Sequence, residues 1–287
     1  METYAVHPGS CGELIQGNIQ GRDMLISFPV DLFTTVRLYE CKNPASRNRF
    51  HKSSTLLSNM LERWGYAWLD RQLDIEIESS IPRGKGFASS TADLCGVYIC
   101  LLKLLRRKYD TKEAMEEFIR IEPTDSILFR EMTLFDYKEG KRFSSIGPYM
   151  KFHILAFEGS RIVDTQEFNR KVLPRLGYLD DIIPDVRQAV DISDISGISK
   201  ASSISIKRNM SRVPYEIFSS IEDLRLKTGG LGIIGGHSGD LLGIVSDDKE
   251  KFRYAARYKD TIPGYKPHLL ETLRRDEYES DYDYGTM

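Results

Sequence analysis

The residues between positions 82 and 93 are of types that bind phosphate. Gly84 and Gly86 flank Lys85, and three consecutive hydroxyl residues follow at positions 89–91. Glycine lets the backbone approach a ligand closely. The unpaired N–H groups and the dipole at a helix N-terminus attract anions. Lysine adds a point charge, and hydroxyl groups bind phosphate oxygens or Mg²⁺. The stretch therefore predicts an anion-binding loop.

An ordinary strand-to-helix turn with a capping serine is the simpler interpretation of this stretch. Such a turn explains one or two of the residues. It does not explain the Gly-x-Gly pattern, the lysine and the three hydroxyl residues together. The pattern also differs from the Walker A motif and from Gly-x-Gly-x-x-Gly. The residues thus favour phosphate binding without specifying a reaction.

The elements on either side of the loop follow from hydrophobic periodicity. Alternation predicts a strand over residues 73–78, and apolar residues at i, i+3, i+4 and i+7 predict a helix from Ser89 to about Leu105. A second helix is expected over residues 111–120, ending before Pro123. Near the N-terminus, strands are predicted over residues 4–7, 24–28 and 32–39. A helix capped by Ser53 or Ser54 is predicted to extend to about residue 67.

The second half of the chain has its own strand and helix signals. Strands are predicted over residues 151–158, 231–234 and 241–246. Helices are predicted over residues 182–192 and 214–227, with Pro214 in the first turn of the latter. The change in character near residue 148 predicts a domain boundary there. Residues 276–287 lack periodicity and are expected to form a frayed tail.

Composition and charge exclude several classes of protein. The chain has 287 residues, of which 41% are hydrophobic and 29% charged, as in ordinary globular proteins. Its net charge of -2 gives no reason to expect nucleic acid as a partner. Neither a secretory signal nor a membrane-spanning run is visible. Four cysteines without CxxC spacing fit a reducing compartment, and the cytoplasm is the expected location. The histidines show no zinc-ligand spacing.

Three motifs, in order, resemble those of the GHMP kinase superfamily. Residues 82–92 are similar to its second motif, Pro-x-x-x-Gly-Leu-x-Ser-Ser-Ala, with Phe87 in place of leucine and Thr91 in place of alanine. Residues 8–17 resemble the first motif of one branch, the L-threonine kinases of coenzyme B12 synthesis. The late glycine-rich motif, with a His-Ser-Gly ending, lies at residues 229–239. Two shorter matches to that branch are residues 28–32 and 122–125.

The resemblance implies an α+β, two-domain GHMP kinase fold. An N-terminal ribosomal-protein-S5-like domain would cover residues 1–148 and a C-terminal ferredoxin-like domain residues 149–287, with ATP at their junction. The implied reaction is ATP- and Mg²⁺-dependent phosphorylation of L-threonine to O-phospho-L-threonine in cobalamin biosynthesis. Alternatives are a GHMP kinase for another small alcohol, such as homoserine, and an inactive nucleotide-binding regulatory protein. A nucleic-acid-binding module is disfavoured by the charge balance.

The resemblance also implies roles for individual residues. The ATP-binding set is Pro82, Arg83, Gly84, Lys85, Gly86, Phe87, Ala88, Ser89, Ser90 and Thr91. Asp125 would act as catalytic carboxylate, together with Lys85 and Ser90, although a helix-cap role or simple orientation of the hydroxyl remains open. Mg²⁺ would bind Ser90 and a glutamate, for which Glu116, its neighbour Glu117 and Glu122 are the candidates.

A free amino-acid substrate needs donors for its carboxylate and an acid for its ammonium group. The N-terminal glycine turn, residues 8–17, offers backbone N–H groups. Glu13 or Asp31 is the candidate partner of the ammonium group, although Asp31 also fits a surface acid at a strand start. His237 is either a substrate or phosphate contact or a buried structural histidine. The full predicted substrate set is Ser10, Cys11, Gly12, Glu13, Gln16, Asp31, Asp125, His237 and Ser238.

Overall fold

Three antiparallel sheets and seven α-helices make up the described part of the chain, which is residues 1–162, 173–213, 215–237 and 239–278 of a computed structural model. The mixture of helices and antiparallel sheets confirms the predicted α+β class. Among these residues, no helix is long and apolar enough to cross a membrane.

The first sheet and its helices carry the predicted phosphate loop. The strands lie in the order β1 (Glu2–Ser10), β4 (Pro29–Glu40), β5 (Leu73–Ser79), with Val36 opposite Ala5 and Ile77. The helices are α1 (His51–Arg63), α2 (Ser89–Leu105) and α3 (Thr111–Ile121). A Cβ atom at Gly96 would lie 2.4 Å from Cγ2 of Val36. The missing side chain therefore lets α2 lie close against β4, which fixes the direction in which α2 begins.

The other two sheets follow in the chain. One has the order β2 (Ile15–Ile19), β3 (Arg22–Ile26), β6 (Met132–Asp136), β7 (Phe143–Gly147). The other has the order β11 (Lys266–Glu271), β8 (His153–Glu158), β10 (Leu241–Ser246), β9 (Gly232–Gly235). The remaining helices are α4 (Ile183–Asp191), α5 (Ile195–Asn209), α6 (Phe218–Thr228) and α7 (Lys249–Ala256).

One hydrophobic cluster joins the two halves of the chain. Phe28, which precedes β4, and Phe152, which precedes β8, pack edge to face with ring centroids 5.0 Å apart. Both side chains are fully buried in a cluster that also includes Ile154. The predicted boundary near residue 148 stays a prediction, since apolar packing is continuous across it.

Most predicted elements are confirmed with ends shifted by up to four residues, and two helices start at clearly different residues. Helix α1 begins at His51 instead of after Ser53 or Ser54, with Phe50 at the N-cap and no side-chain cap. The helix predicted from Pro214 begins at Phe218, and Pro214 itself lies outside the described residues. The predicted tail is described only as far as residue 278.

Helix α5 was not predicted because it is rich in serine. Serine side chains compete for backbone hydrogen bonds and give a weak helix signal. In the structure two of these hydroxyls bond within the helix, Ser199 Oγ to the carbonyl of Ile195 at 2.7 Å and Ser203 Oγ to the carbonyl of Ser199 at 2.9 Å. A Cβ at Gly232 would lie 2.3 Å from the Ser199 carbonyl oxygen. The small residues thus allow close packing of α5 on β9, a tertiary effect that no local pattern reveals.

Candidate active site

A cavity of about 550 Å³ lies at the N-terminal ends of α1 and α2. Both helices begin without a side-chain cap. The first N–H groups of an α-helix have no partner within the helix and carry partial positive charge. The cavity therefore brings two anion-attracting helix ends together. Its wall comprises three main segments, residues 49–53, 83–91 without Lys85, and 122–125.

The predicted phosphate loop forms one side of this cavity with a backbone that only special conformations allow. Gly84 and Gly86 have φ values of +67° and +94°. Ala88, at the N-cap of α2, is left-handed with φ of +54°. A non-glycine residue in this region is strained and persists only where the surroundings impose it. Of the ten predicted ATP-binding residues, all but Pro82 and Lys85 line the cavity.

Lys85 has a different position from the one its motif suggests. Its side chain is buried, and its ammonium group donates to the carbonyl oxygens of Gly159 at 2.8 Å and Ser160 at 2.7 Å. These carbonyls follow strand β8, outside the cavity wall. The charge of Lys85 thus anchors the phosphate loop to the third sheet, and the cavity receives only the loop's backbone at this point.

The late glycine-rich motif supports the phosphate loop from behind. A Cβ at Gly239 would lie 2.4 Å from the carbonyl oxygen of Lys85, and one at Gly86 would lie 3.4 Å from the Cα atoms of Gly236 and Gly239. Backbones in such close contact leave no room for side chains. The motif therefore supports the loop and does not line the cavity in the described residues. Ser238 lies outside them.

The N-terminal glycine turn also holds the loop, and this changes the predicted substrate set. The N–H groups of Ser10 and Gly12 donate to the carbonyls of Phe87 at 3.0 Å and Gly86 at 2.9 Å. The N–H of Glu13 donates to Gly235. These amides were expected to face a substrate carboxylate, but they already have backbone partners. Of the turn's predicted residues, only Glu13 lines the cavity, since Ser10, Cys11, Gly12 and Gln16 do not reach it.

Two further residues of the predicted substrate set, Asp31 and His237, do not line the cavity. Asp31 is exposed on β4 and accepts a hydrogen bond from the Glu271 N–H at 2.9 Å, so it lies outside the cavity wall. His237 is buried behind Glu13. Its backbone N–H and its Nδ1 lie 2.8 Å and 3.1 Å from Oε2 of Glu13, and its Nε2 lies 2.9 Å from Ser205 Oγ on α5. His237 therefore positions the Glu13 carboxylate.

Among the three candidate glutamates, Glu122 is the one that reaches the phosphate loop. It directly follows α3, is 4% exposed, and accepts a hydrogen bond from the hydroxyl of Ser90 through Oε1. Glu116 does not line the cavity and instead pairs with Arg63 of α1 at 3.2 Å. Glu117 pairs with the same arginine at 2.8 Å. The hydroxyl and the carboxylate that the sequence predicted as metal ligands are thus neighbours in the Ser90–Glu122 pair.

Asp125 lies at the same cavity in a buried setting. Burial raises the pKa of its carboxyl to about 7, and the negative charge of Glu13 acts in the same direction. Its N–H donates to Thr91 Oγ1 at 3.1 Å, which ties it to α2. Its Oδ1 accepts the N–H of Ile127 at 3.4 Å, so the residue also caps a short 3₁₀ helix. The cap role and the cavity position coexist, and a raised pKa near neutrality suits a proton acceptor.

Sequence reasoning missed cavity residues that come from α1. Phe50, His51 and Lys52 all contribute to the wall. Lys52 donates to Oε2 of Glu122 at 2.6 Å. The feature that could have revealed these residues is the position at which α1 begins. The first turn of α1 begins three or four residues earlier than a cap at Ser53 or Ser54 predicts, and it brings Lys52 beside the loop.

Comparison with known proteins gives a consistent result for sequence and fold. Residues 51–128 match the family model described as the GHMP kinases N terminal domain. The chain is 29% identical over 278 residues to the L-threonine kinase of Salmonella typhimurium, covering 93% of this chain and 92% of that protein. It is also 29% identical over 279 residues to the L-threonine kinase of Citrobacter freundii, covering 93% and 96%.

Solved structures with the same fold include two small-molecule kinases. The homoserine kinase of Cytophaga hutchinsonii superimposes with a TM-score of 0.72 at 16% identity, over 96% of this chain and 95% of that one. The mevalonate kinase of Methanococcus jannaschii gives a TM-score of 0.68 at 14% identity, over 95% and 99%. Identities this low establish the fold alone. The resemblance in sequence and the fold class predicted from the motifs are both confirmed.

Proposed function

Because the chain carries a GHMP kinase N-terminal domain and the GHMP kinase fold, we propose that it is an ATP-dependent kinase that phosphorylates the side-chain hydroxyl of L-threonine. The observation that carries the proposal is the meeting of three parts in one cavity. These are the uncapped N-terminus of α2, the Ser90–Glu122 pair and the buried carboxyl of Asp125. The product, O-phospho-L-threonine, would serve cobalamin biosynthesis in the cytoplasm.

The Ser90–Glu122 pair fits Mg²⁺. Hydroxyl and carboxylate oxygens are the hard ligands that Mg²⁺ prefers, and in kinases this ion takes few protein ligands along with substrate phosphates. Ser90 and Glu122 would hold the ion, which would supply charge neutralisation for the phosphates.

Asp125 is the group suited to receive the substrate proton. As the hydroxyl oxygen of threonine bonds to the terminal phosphorus, the bond from that phosphorus to the bridging oxygen breaks and ADP leaves. The hydroxyl proton must move to an acceptor. The buried Asp125 carboxylate, with its raised pKa, accepts it at the cavity wall, while the N–H groups that begin α2 face the phosphates.

The substrate specificity is tested by a kinetic comparison of amino acids and alcohols. With saturating Mg-ATP, kcat/KM is measured for L-threonine, L-serine, L-homoserine and an amine-free alcohol. We expect L-threonine to give the highest value. Turnover of homoserine above that of threonine would instead identify the chain as a kinase of the alternative amino alcohol. Absence of turnover with every substrate would contradict the kinase proposal itself.

Replacing Glu13 by glutamine is expected to raise the KM for L-threonine by about tenfold to hundredfold. Glu13 is the only carboxylate of the N-terminal glycine turn that lines the cavity in the described residues, and His237 holds one of its oxygens. Loss of a hydrogen bond to a charged group costs roughly 1.5–3 kcal/mol. Steady-state kinetics with threonine as the varied substrate give the value.

Asp31→Asn is the matched control for this substitution. It makes the same chemical change at an exposed acid outside the cavity, so KM should stay within about twofold of the parent value. A larger KM effect for Asp31→Asn than for Glu13→Gln would return the ammonium site to Asp31.

A further inference from the structure

Lys52 lines the cavity and forms an ion pair with Glu122. Its Nζ lies 2.6 Å from Oε2 of Glu122, whose other oxygen accepts the hydrogen bond from Ser90. The lysine side chain is 37% exposed, whereas the glutamate is 3% exposed. The cation is therefore the accessible member of the pair, on a flexible stem at the first turn of α1.

The cavity has few positive charges for a polyanionic ligand. Four acids, Glu13, Asp93, Glu122 and Asp125, contribute to its wall. The motif lysine, Lys85, is not available because it is bound to the carbonyls of Gly159 and Ser160. A triphosphate in this cavity thus needs a cation other than Lys85, in addition to any metal ion.

The arginines of the described cavity wall are less well placed than Lys52. Arg83 pairs with Asp93 at 3.3 Å and lies above the ring of Phe50, with its guanidinium carbon 5.8 Å from the ring centroid. Arg49 belongs to the short 3₁₀ helix before α1 and has no contact with Ser90 or Glu122 among the described hydrogen bonds and ion pairs. Lys52 alone of these cations shares a hydrogen-bonding partner with the hydroxyl of Ser90.

From this arrangement we infer that Lys52 is a phosphate-binding residue that moves from Glu122 to the terminal phosphate of ATP when the nucleotide enters. The inference rests on the proposed kinase function. In the exchange, the Nζ–Oε2 ion pair of Glu122 breaks and the ammonium group pairs with a phosphate oxygen. The freed Glu122 oxygen becomes available to the metal ion that accompanies the nucleotide. No covalent bond or proton changes place.

The exchange has a consequence that a fixed structural ion pair lacks. A cation that contacts only the terminal phosphate stabilises bound ATP and contributes little to bound ADP. A lysine that merely holds Glu122 in place would affect both nucleotides alike through the Ser90–Glu122 pair. The ratio of the two affinities therefore distinguishes the two roles.

The test is calorimetric binding of ADP and of a non-hydrolysable β,γ-imido analogue of ATP, each with Mg²⁺ and without threonine. Lys52→Met is expected to weaken binding of the ATP analogue by about tenfold to hundredfold, and binding of ADP by less than about threefold. Lys52→Arg, which keeps the charge, is expected to retain most of the preference for the analogue. Lys200→Met, on the exposed face of α5 and outside the cavity, is the matched control.

The outcomes separate the two proposals. If the parent protein binds the analogue and Lys52→Met binds it equally well, or loses ADP and analogue affinity to the same extent, the role of Lys52 is refuted while the kinase proposal stands. If the parent protein binds neither nucleotide, the kinase proposal fails first. Should Lys52→Met fold poorly, a loss of analogue preference in Lys52→Arg would equally overturn the inference, because that variant keeps a cation beside Glu122.

Discussion

Replacing Asp125 by asparagine is expected to lower kcat by about 10²–10⁴-fold, the usual contribution of a positioned proton acceptor. The carboxyl is buried at the cavity wall, and its backbone is tied to Thr91 on α2. Asparagine keeps the size and the cap contact to Ile127 but cannot accept the proton. Steady-state assays with Mg-ATP and threonine measure kcat, and calorimetry should show unchanged ATP affinity. An unaltered kcat would remove Asp125 from the mechanism.

The pH dependence of the parent enzyme is the second readout for Asp125. The pKa of this carboxyl is raised to about 7, first by burial and then by the charge of Glu13. Below pH 7 it becomes protonated and cannot accept the hydroxyl proton, so kcat/KM should fall as the pH is lowered through this range. Glu13→Gln removes the neighbouring charge and should move the fall to lower pH. A profile that Glu13→Gln leaves in place would contradict the coupling between the two carboxyls.

The free energy of unfolding gives a third readout for Asp125, and here the substitution by asparagine is expected to be favourable. A carboxyl whose folded pKa lies above its unfolded value of about 3.9 favours folding fully below that unfolded pKa. This contribution is lost as the pH rises towards the folded pKa of about 7. Asp125→Asn should therefore raise the free energy of unfolding above pH 7 by roughly 1–4 kcal/mol. Denaturant unfolding at pH 8 and pH 4 checks it, since the gain should be absent at pH 4.

The local parts of the site could be predicted from the sequence. The phosphate loop, the start of α2 and the hydroxyl of Ser90 are neighbours along the chain, so motif and periodicity were sufficient. Asp125 was also within reach of the motif comparison, and the structure places it at the cavity wall, while its catalytic role stays a prediction. The short-range signals were reliable because residue spacing alone determines which of these groups share a helix end.

The long-range contacts of the site could not be predicted, because they depend on tertiary packing that the sequence alone does not reveal. Lys85 is of a residue type that binds phosphate. Its ammonium group instead donates to the carbonyls of Gly159 and Ser160, which follow strand β8. The amides of Ser10 and Gly12 look exposed in a glycine turn, and the phosphate loop binds them. His237 contacts Glu13 through its backbone N–H and its Nδ1, and its Nε2 contacts Ser205 on α5, the serine-rich helix that the sequence did not predict. The partners of Lys85, of the two turn amides and of Glu13 all lie more than 70 residues away in the chain, and Ser205 lies 32 residues from His237.

The second large effect on activity is expected at Glu122, the acidic residue that directly follows α3. Glu122→Gln should lower kcat by about 10²–10³-fold and raise the Mg²⁺ concentration needed for half-maximal activity. The substitution keeps the side-chain size and a hydrogen-bonding oxygen for Ser90 or Lys52, but it removes the negative charge that a divalent cation requires. Titration of activity with Mg²⁺ at saturating ATP measures both quantities.

Glu116→Gln is the matched control for this prediction, because it makes the same chemical change six residues earlier in the chain. Glu116 is partly exposed, pairs with Arg63 and lies outside the cavity wall, so kcat and the Mg²⁺ requirement should stay within about twofold of the parent values. Helix periodicity alone cannot rank the two acids, because Glu116 lies in the middle of α3 and Glu122 lies just beyond its last residue. The ranking comes from the backbone after Ile121, where Glu122 leaves the helix in an extended conformation and turns its carboxylate to the phosphate loop. A larger metal effect for Glu116→Gln than for Glu122→Gln would show that this turn does not define the metal site.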